Sequence, residues 1–341
     1  MEKIMSKRVL LTGASGFVGS HVLRHLLVNT DWFIVCPTTF THKGLTDRIN
    51  VACDDFPDAY KRIKVIKTDL TAPISPVTSH AFGQIDYVIN VASESHVDRS
   101  IEEPTSFILN NVSLICNLLD WARVAKPEKF LHISTDEVYG PAKPGHSHKE
   151  WEDQYFPSNP YSASKAAQES IAFSYWRTYG VPIAITNTMN IIGETQDTEK
   201  FMPMVIKKVL NGETMKIHAS SEGEIGSRFY LHARNQADGL LHVLKQHFPA
   251  YGESEVPAKF HIVGEKEVDN LEMAQMIAKA VGKPLKYELE DFHSSRPGHD
   301  LRYALDGKKI ADTGWVSPMP LEESIRKTVE WTLKHPEWLS L

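Results

Sequence analysis

A run of five residues, Arg8-Val9-Leu10-Leu11-Thr12, gives way to Gly13-Ala14-Ser15-Gly16-Phe17-Val18-Gly19 and then to an amphipathic stretch, and this succession constrains the chain more than any other feature. The run 8–12 has the length and branched apolar content of a buried strand, and 17–27 carries the helical period. Glycines at intervals of three, placed between strand and helix, leave backbone amides and a helix N-terminus uncovered, so that a diphosphate can approach. Gly13, Ser15, Gly16, Phe17, Val18 and Gly19 are therefore candidate cofactor contacts. Two residues separate successive glycines, which differs from the G-x-G-x-x-G spacing of many dehydrogenases.

The same alternation continues. Strands are expected at 33–36, 63–66, 87–91, 130–134 and 183–187, with helices near 106–125 and 161–179. Alternating strands and helices imply an α/β fold, a Rossmann-type doubly wound parallel sheet. After Asn187 the rhythm breaks into loop around one helix at 202–210. Segments 233–245 and 260–263 return to the sheet, and two further helices are expected at 271–280 and 321–333. The chain thus divides into a dinucleotide-binding domain, 1–187 with 232–264, and a smaller, discontinuous α/β substrate-binding domain, 188–231 with 265–341.

A length of 341 residues suits one large or two moderate domains, and the net charge of -6, with no Lys/Arg run, argues against a nucleic-acid partner. The first seven residues form no apolar signal region and no later run could span a bilayer, so cytoplasmic residence without a membrane partner is expected. Cys36, Cys53 and Cys116 are odd in number and at no metal-ligand spacing, hence free thiols. His146 and His148, near Glu150, have no further clustered ligands in sequence and read as a polar surface loop; no metal is expected.

The chemistry is concentrated in two segments. Ser134-Thr135-Asp136-Glu137-Val138-Tyr139-Gly140 holds adjacent carboxyls, and Tyr161-Ser162-Ala163-Ser164-Lys165 places a phenol and an ammonium four apart on one helix face. A phenol that accepts a proton near neutrality needs its anion stabilised by about 4 kcal/mol, which a neighbouring ammonium such as Lys165 favours. The carboxyl pair adds a second acid/base set, able to remove a carbon-bound proton and to protonate a leaving hydroxyl. Thr135, Asp136, Glu137, Tyr161 and Lys165 are the candidate catalytic residues, and Tyr161 and Lys165 are also counted as cofactor contacts.

At the ribose end the second strand lacks the carboxylate that would hold NAD hydroxyls. It runs instead into Thr38, His42 and Lys43, with Arg48 beyond, a set that suits a ribose phosphate and favours NADP over NAD. Asp69 and Leu70 are placed at the adenine ring. Ala92, Asn111, Ser134 and Asn187 complete the expected cofactor site.

These motifs resemble the extended short-chain dehydrogenases/reductases, and among them the dTDP-glucose 4,6-dehydratases. The resemblance rests on Ala92-Ser93-Glu94-Ser95-His96-Val97-Asp98-Arg99-Ser100-Ile101, the Thr135-Asp136-Glu137 triplet, Tyr161 with Lys165, Thr186-Asn187-Thr188-Met189-Asn190, Glu199-Lys200-Phe201-Met202-Pro203, Arg228, and Arg296-Pro297-Gly298-His299. It implies oxidation at carbon 4 of a nucleotide sugar, elimination of water across carbons 5 and 6, and hydride return, by a tightly bound NAD or NADP regenerated each turnover. Lys200, Arg228 and Arg296 are expected at the substrate diphosphate. Ser95, His96, Thr135 and Asn190 are expected around the sugar nucleotide, with Glu199, Phe201, His218, Asn270 and His299.

The chain departs from the family pattern at Ile191-Ile192-Gly193-Glu194, where Asn-Tyr-Gly-Pro is usual, at a longer loop between His218 and Arg228, and at Phe229-Tyr230. These changes leave the base and sugar open. A 4-epimerase and a 5,6-dehydratase are the enzymatic alternatives, and an NAD(P)-sensing regulator is the non-enzymatic one. The face carrying Leu109, Val112, Ile115 and Leu119 is expected either to pair, with the Tyr161 helix, in a homodimer built on a helix bundle or to pack only on the sheet.

Overall fold

The computed structural model describes residues 6–41, 43–291 and 300–340. Its centre is a seven-stranded sheet. Strand β1 (Arg8–Thr12) is flanked by β2 (Phe33–Thr38) and then β3 (Ile63–Lys67) on one side. On the other side follow β4 (Tyr87–Asn90), β5 (Lys129–Thr135), β6 (Ile183–Thr188) and, at the edge, Ala258–Ile262. Every pairing is parallel. The strand order therefore reverses between β1 and β4, and it is outside the carboxyl ends of strands at such a point that open α/β sheets bind ligands.

Side chains of β1 alternate between two cores, as a strand's period of two requires. Val9 and Leu11 pack with Val22, Leu23 and Leu26 of helix α1 (Phe17–Asn29) and with Leu240 and Leu244 of the helix Ala233–Leu244. Leu10 points to the opposite face, among Ile115 and Leu118 of the helix Pro104–Ala125 and Trp176 of the helix Pro160–Tyr179. A third apolar cluster joins Met202, Val205, Ile217, Met273, Ile277, Ile325 and Val329, drawn from segments far apart in sequence. It lies among the helices Phe201–Asn211, Asn270–Val281 and Leu321–Lys334 and the strand Thr214–Ala219.

The expected strands and long helices are present, with ends displaced by a few residues. Helices Pro104–Ala125 and Pro160–Tyr179 begin earlier than their apolar period because proline is tolerated in a first turn. The helices Thr46–Cys53, Pro76–Phe82 and Val97–Glu102 are too short to show a period. Strand Lys286–Asp291, paired in parallel with Thr214–Ala219, is almost wholly exposed and so shows no alternation of apolar residues.

On the face carrying Leu109 and Ile115, Ile115 and Leu119 are fully buried within the chain, as packing on the sheet requires, whereas Leu109 is 58% exposed. All three cysteines are free. Among the described residues no helix is long and apolar enough to cross a membrane.

Candidate active site

A cavity of about 660 Å³ lies over the carboxyl ends of β1, β4 and β5, running from the glycine turn to Asp136, Glu137 and Tyr161. Its floor is built by local sequence. Thr12 Oγ1 donates to Asn90 Oδ1 at 2.7 Å and accepts the amides of Val91 and Ala92, drawing the end of β4 against the turn. Gly13 has φ +72°, and a Cβ there would sit 2.9 Å from Ala92 N. A Cβ on Gly19 would sit 2.0 Å from Gly13 O, so only hydrogen allows α1 to leave the turn this closely. The N-cap, Gly16, brings no side chain over the first amides of α1, and the first turn holds no acidic residue. This cradle fits the diphosphate of a dinucleotide, whose charge would meet open N–H groups and the positive helix end.

Of the expected cofactor contacts, Ser15, Phe17, Val18, Thr38, Asp69 and Leu70 border this cavity, as do Ala92, Ser134 and Lys165. Ser15 Oγ and Thr38 Oγ1 are 2.6 Å apart, while Asp69 Oδ1 accepts the Thr71 amide and hydroxyl. Asn111 and Asn187 do not border it. Both are completely buried as braces: Asn111 Nδ2 donates to Ser164 Oγ and Glu94 O, and Asn187 Nδ2 to Thr135 O and Glu169 Oε1.

The basis for NADP does not survive the tertiary arrangement. Arg48 is 1% exposed; its guanidinium donates to Thr195 O at 2.9 and 3.1 Å and to Lys43 O, and pairs with Asp197 at 3.1 Å. Lys43 Nζ faces Asp197 and Glu199 at 3.6 and 3.8 Å. Both cations are thus met by carboxylates that would repel a ribose phosphate. His42 lies outside the described residues.

The turn that carries the candidate catalytic carboxyls grows directly from β5. Thr135 caps the short 3-10 turn Asp136–Tyr139, accepting the Glu137 amide at 3.3 Å and donating to Asp136 Oδ1 at 3.0 Å. Asp136 Oδ2 is buried without a hydrogen-bond partner. Burial and the neighbouring Glu137 charge push the Asp136 carboxyl up to about 7, against the opposing effects of Thr135 and Arg228. Burial also raises Glu137, but the Asn159 amide, 3.2 Å from Oε2, together with Arg228 and Lys200, restrains the rise. Asn159 had no expected role. Its signal is the Asn-Pro pair at a helix start, where its side chain caps the amide of Ser162.

Tyr161 and Lys165 share one helix face, but the ammonium does not rest on the phenol. Lys165 Nζ donates to Ile133 O at 2.8 Å and Gln168 Oε1 at 2.6 Å, because carbonyl acceptors at the end of β5 lie within its reach. Burial lowers it to about 7, with Glu169 opposing. The Tyr161 phenol is raised by burial and by the Glu137 charge, against the opposing effect of the Thr135 side chain. The protein alone therefore keeps Tyr161 protonated.

At the far end of the cavity stand Ser95, His96, Asn190, Glu199, Lys200 and Phe201. His96 Nε2 meets Glu199 Oε1 at 3.3 Å. Other expected substrate contacts lie elsewhere. Arg228 donates to the carbonyls of Ser227, Asp300 and Leu301 and stacks 4.6 Å from the Tyr303 ring, so it holds the backbone together and acts on the carboxyl pair through its charge. Asn270 Oδ1 accepts from Tyr230 OH, and His218 belongs to the strand Thr214–Ala219; among the described residues neither borders the cavity. Arg296 and His299 lie outside the described residues.

The departure at Glu194 does not reach the sugar end. Glu194 is turned beneath α1, within 3.1 Å of His232 Nε2 and 3.4 Å of Arg234, and its backbone carbonyl meets His21 Nε2 at 2.9 Å. His146 and His148 are not simply a surface loop: His148 is buried, and Asp153 joins the two histidines.

Residues 9–253 match the NAD dependent epimerase/dehydratase family. The chain is 32% identical to a dTDP-glucose 4,6-dehydratase of Escherichia coli, over 97% of this chain and 95% of the relative. It is 33% identical to a low-salt glycan biosynthesis protein of Haloferax volcanii, over 96% and 99% respectively. A double mutant of a dTDP-glucose 4,6-dehydratase from Streptomyces venezuelae, solved with NAD bound, superposes with a TM-score of 0.83 at 28% identity, covering 98% of this chain and 99% of that one.

Proposed function

The chain belongs to the NAD dependent epimerase/dehydratase family, and from that premise we propose that it is a nucleoside-diphosphate-hexose 4,6-dehydratase using NAD. The observation that carries this reading is the Asp136–Glu137 pair, two adjacent carboxyls, both raised by burial, of which Glu137 alone is met by the Asn159 amide, in the same cavity as Tyr161 and the glycine turn. An epimerase needs no such pair.

NAD, when bound, supplies the acceptor for a hydride from carbon 4 and the donor for its return at carbon 6. The chain's residues move the protons. Tyr161 takes the proton of the 4-hydroxyl; burial works against its anion, the Thr135 side chain favours it, and the positive charge of an oxidised nicotinamide would favour it further. The ketone at carbon 4 acidifies the proton on carbon 5, which Glu137 removes. Asp136, still protonated near neutrality, gives its proton to the departing 6-hydroxyl. Glu137 then returns a solvent-exchanged proton to carbon 5. The proton gained at Tyr161 and that lost from Asp136 balance through solvent, and the net change is loss of one water.

Lys200 borders the cavity, and its ammonium is the charge we assign to the substrate diphosphate. The cofactor stays bound because each turnover restores it. The names of the relatives make dTDP-glucose the first substrate to test, and the homodimer remains part of the proposal. Incubation with dTDP-, UDP-, GDP- and CDP-hexoses in heavy water, read by mass spectrometry and NMR, tests the reading. A 4-keto-6-deoxy product with deuterium on carbon 5 supports it. A product of unchanged mass identifies an epimerase, an alkene that keeps its 4-hydroxyl identifies a 5,6-dehydratase, and no product with any sugar returns the regulator.

A further inference from the structure

Behind the catalytic turn, away from the cavity, we propose a zinc site formed by His146 Nε2, His148 Nδ1 and Asp153 Oδ1. The three ligand atoms lie within 4.8 Å of one another. His146 Nε2 is 3.0 Å and His148 Nδ1 3.4 Å from the same Asp153 oxygen. For metal–ligand bonds of about 2.0–2.1 Å, the edge of a tetrahedron is about 3.3 Å, so both distances lie near the spacing that tetrahedral zinc imposes.

A hydrogen bond to Asp153 Oδ1 explains His146 but not His148. The His148 residue is 8% exposed, and neither ring nitrogen makes a hydrogen bond, even though Nδ1 is 3.4 Å from the carboxylate. A buried imidazole whose nearest polar contact is a long, poorly directed one at Nδ1 is costly, and a metal bond at Nδ1 relieves part of that cost. The remainder of the site is already held. Asp153 Oδ2 accepts the Lys149 amide at 2.8 Å, leaving Oδ1 facing the histidines. The His148 backbone is fixed on both sides, its amide to Ala304 O at 2.9 Å and its carbonyl to the Asp306 amide at 2.8 Å. Arg302 holds His146 O at 2.6 Å. Glu150 does not belong to the set, since its Oε1 accepts the buried His261 amide at 3.2 Å.

Two imidazoles and one carboxylate are borderline donors that favour zinc over magnesium or calcium. The exposed side of His146, 45% accessible, leaves a fourth position to water. The site bears on the catalytic turn through Tyr139, whose ring stacks on His148 with centroids 5.1 Å apart and planes 13° from parallel, and which ends the turn carrying Asp136 and Glu137. Zinc therefore ties residues 146–153 behind that turn without entering the reaction.

The test uses the full-length, untagged protein stripped with a chelator. Zinc chloride is titrated in competition with a chromophoric chelator, and cobalt(II) serves as a spectroscopic substitute. The expected result is one zinc per chain, visible cobalt bands of tetrahedral intensity, no displacement by magnesium, and affinity weakened about 100-fold or more in both His146→Ala and Asp153→Asn. His146 is exposed, so its variant keeps the fold. Failure of the wild-type chain to take up zinc, displacement of zinc by magnesium, or unchanged affinity in His146→Ala overturns the site.

Discussion

Replacing Asp136 by Asn separates its acidity from its shape. The carboxyl is 4% exposed and is pushed from its ordinary 3.8 up to about 7, first by burial and then by the Glu137 charge. A displacement of that size corresponds to about 4 kcal/mol. The sign follows from linkage. In the unfolded chain Asp136 ionises near its ordinary value, whereas in the folded chain it stays protonated until about 7. Wild-type stability is therefore lost as pH rises from about 4 through about 7, and the loss levels off above. The amide of Asp136→Asn cannot ionise, so the variant's stability relative to wild type should improve by roughly 4 kcal/mol between pH 4 and pH 8. A buried amide without a partner subtracts a pH-independent 1–3 kcal/mol or so, which leaves this difference intact. Urea unfolding of both proteins across that range, without substrate, measures it. Parallel stability curves would refute the reasoning, because they would mean that Asp136 ionises as it does in water. In turnover the variant should lose about 10²–10⁴ in rate at the elimination step while still exchanging the carbon-5 proton, so reduced cofactor accumulates and its absorbance rises.

The other expectations are narrower. Glu137→Gln should still oxidise carbon 4 but abolish deuterium uptake at carbon 5; uptake at the wild-type rate would transfer the base role elsewhere. Gly19→Ala forces a Cβ to 2.0 Å from Gly13 O, so fluorescence titration should find NAD binding lost, with stability lowered by roughly 1–3 kcal/mol in thermal unfolding. Lys259→Met strands the buried Glu169 carboxylate, now 2.8 Å from the ammonium, and should cost about 3–5 kcal/mol in urea unfolding, with Lys259→Met/Glu169→Met recovering part of it. Loss of activity with pH should follow Asp136, the elimination step weakening as pH rises past about 7; a rate that climbs steadily to high pH would contradict a protonated Asp136.

What could be read from the linear chain was what local rules govern. Branched apolar runs alternating with helical periods specify a parallel sheet, the Gly13–Gly16–Gly19 spacing specifies the turn that opens on α1, and the four-residue interval puts Tyr161 and Lys165 on one face. Thr135, Asp136 and Glu137 were legible for the same reason, since all three sit in one turn at the end of one strand. Residue type did not reveal which charges are already satisfied. Arg48 and Arg228 look like anion ligands in sequence, but folding sets each against backbone carbonyls, and Arg48 also against Asp197, because a guanidinium withdrawn from water, fully for Arg48 and in part for Arg228, requires partners. Asn111 and Asn187 became braces for the same reason. Contacts between residues far apart in sequence also set the protonation of Asp136, the placement of Lys165 on the end of β5 and the meeting of Asp153 with two histidines. Spacing along a chain fixes which face a side chain occupies; desolvation and partners from distant segments decide what that side chain can then do.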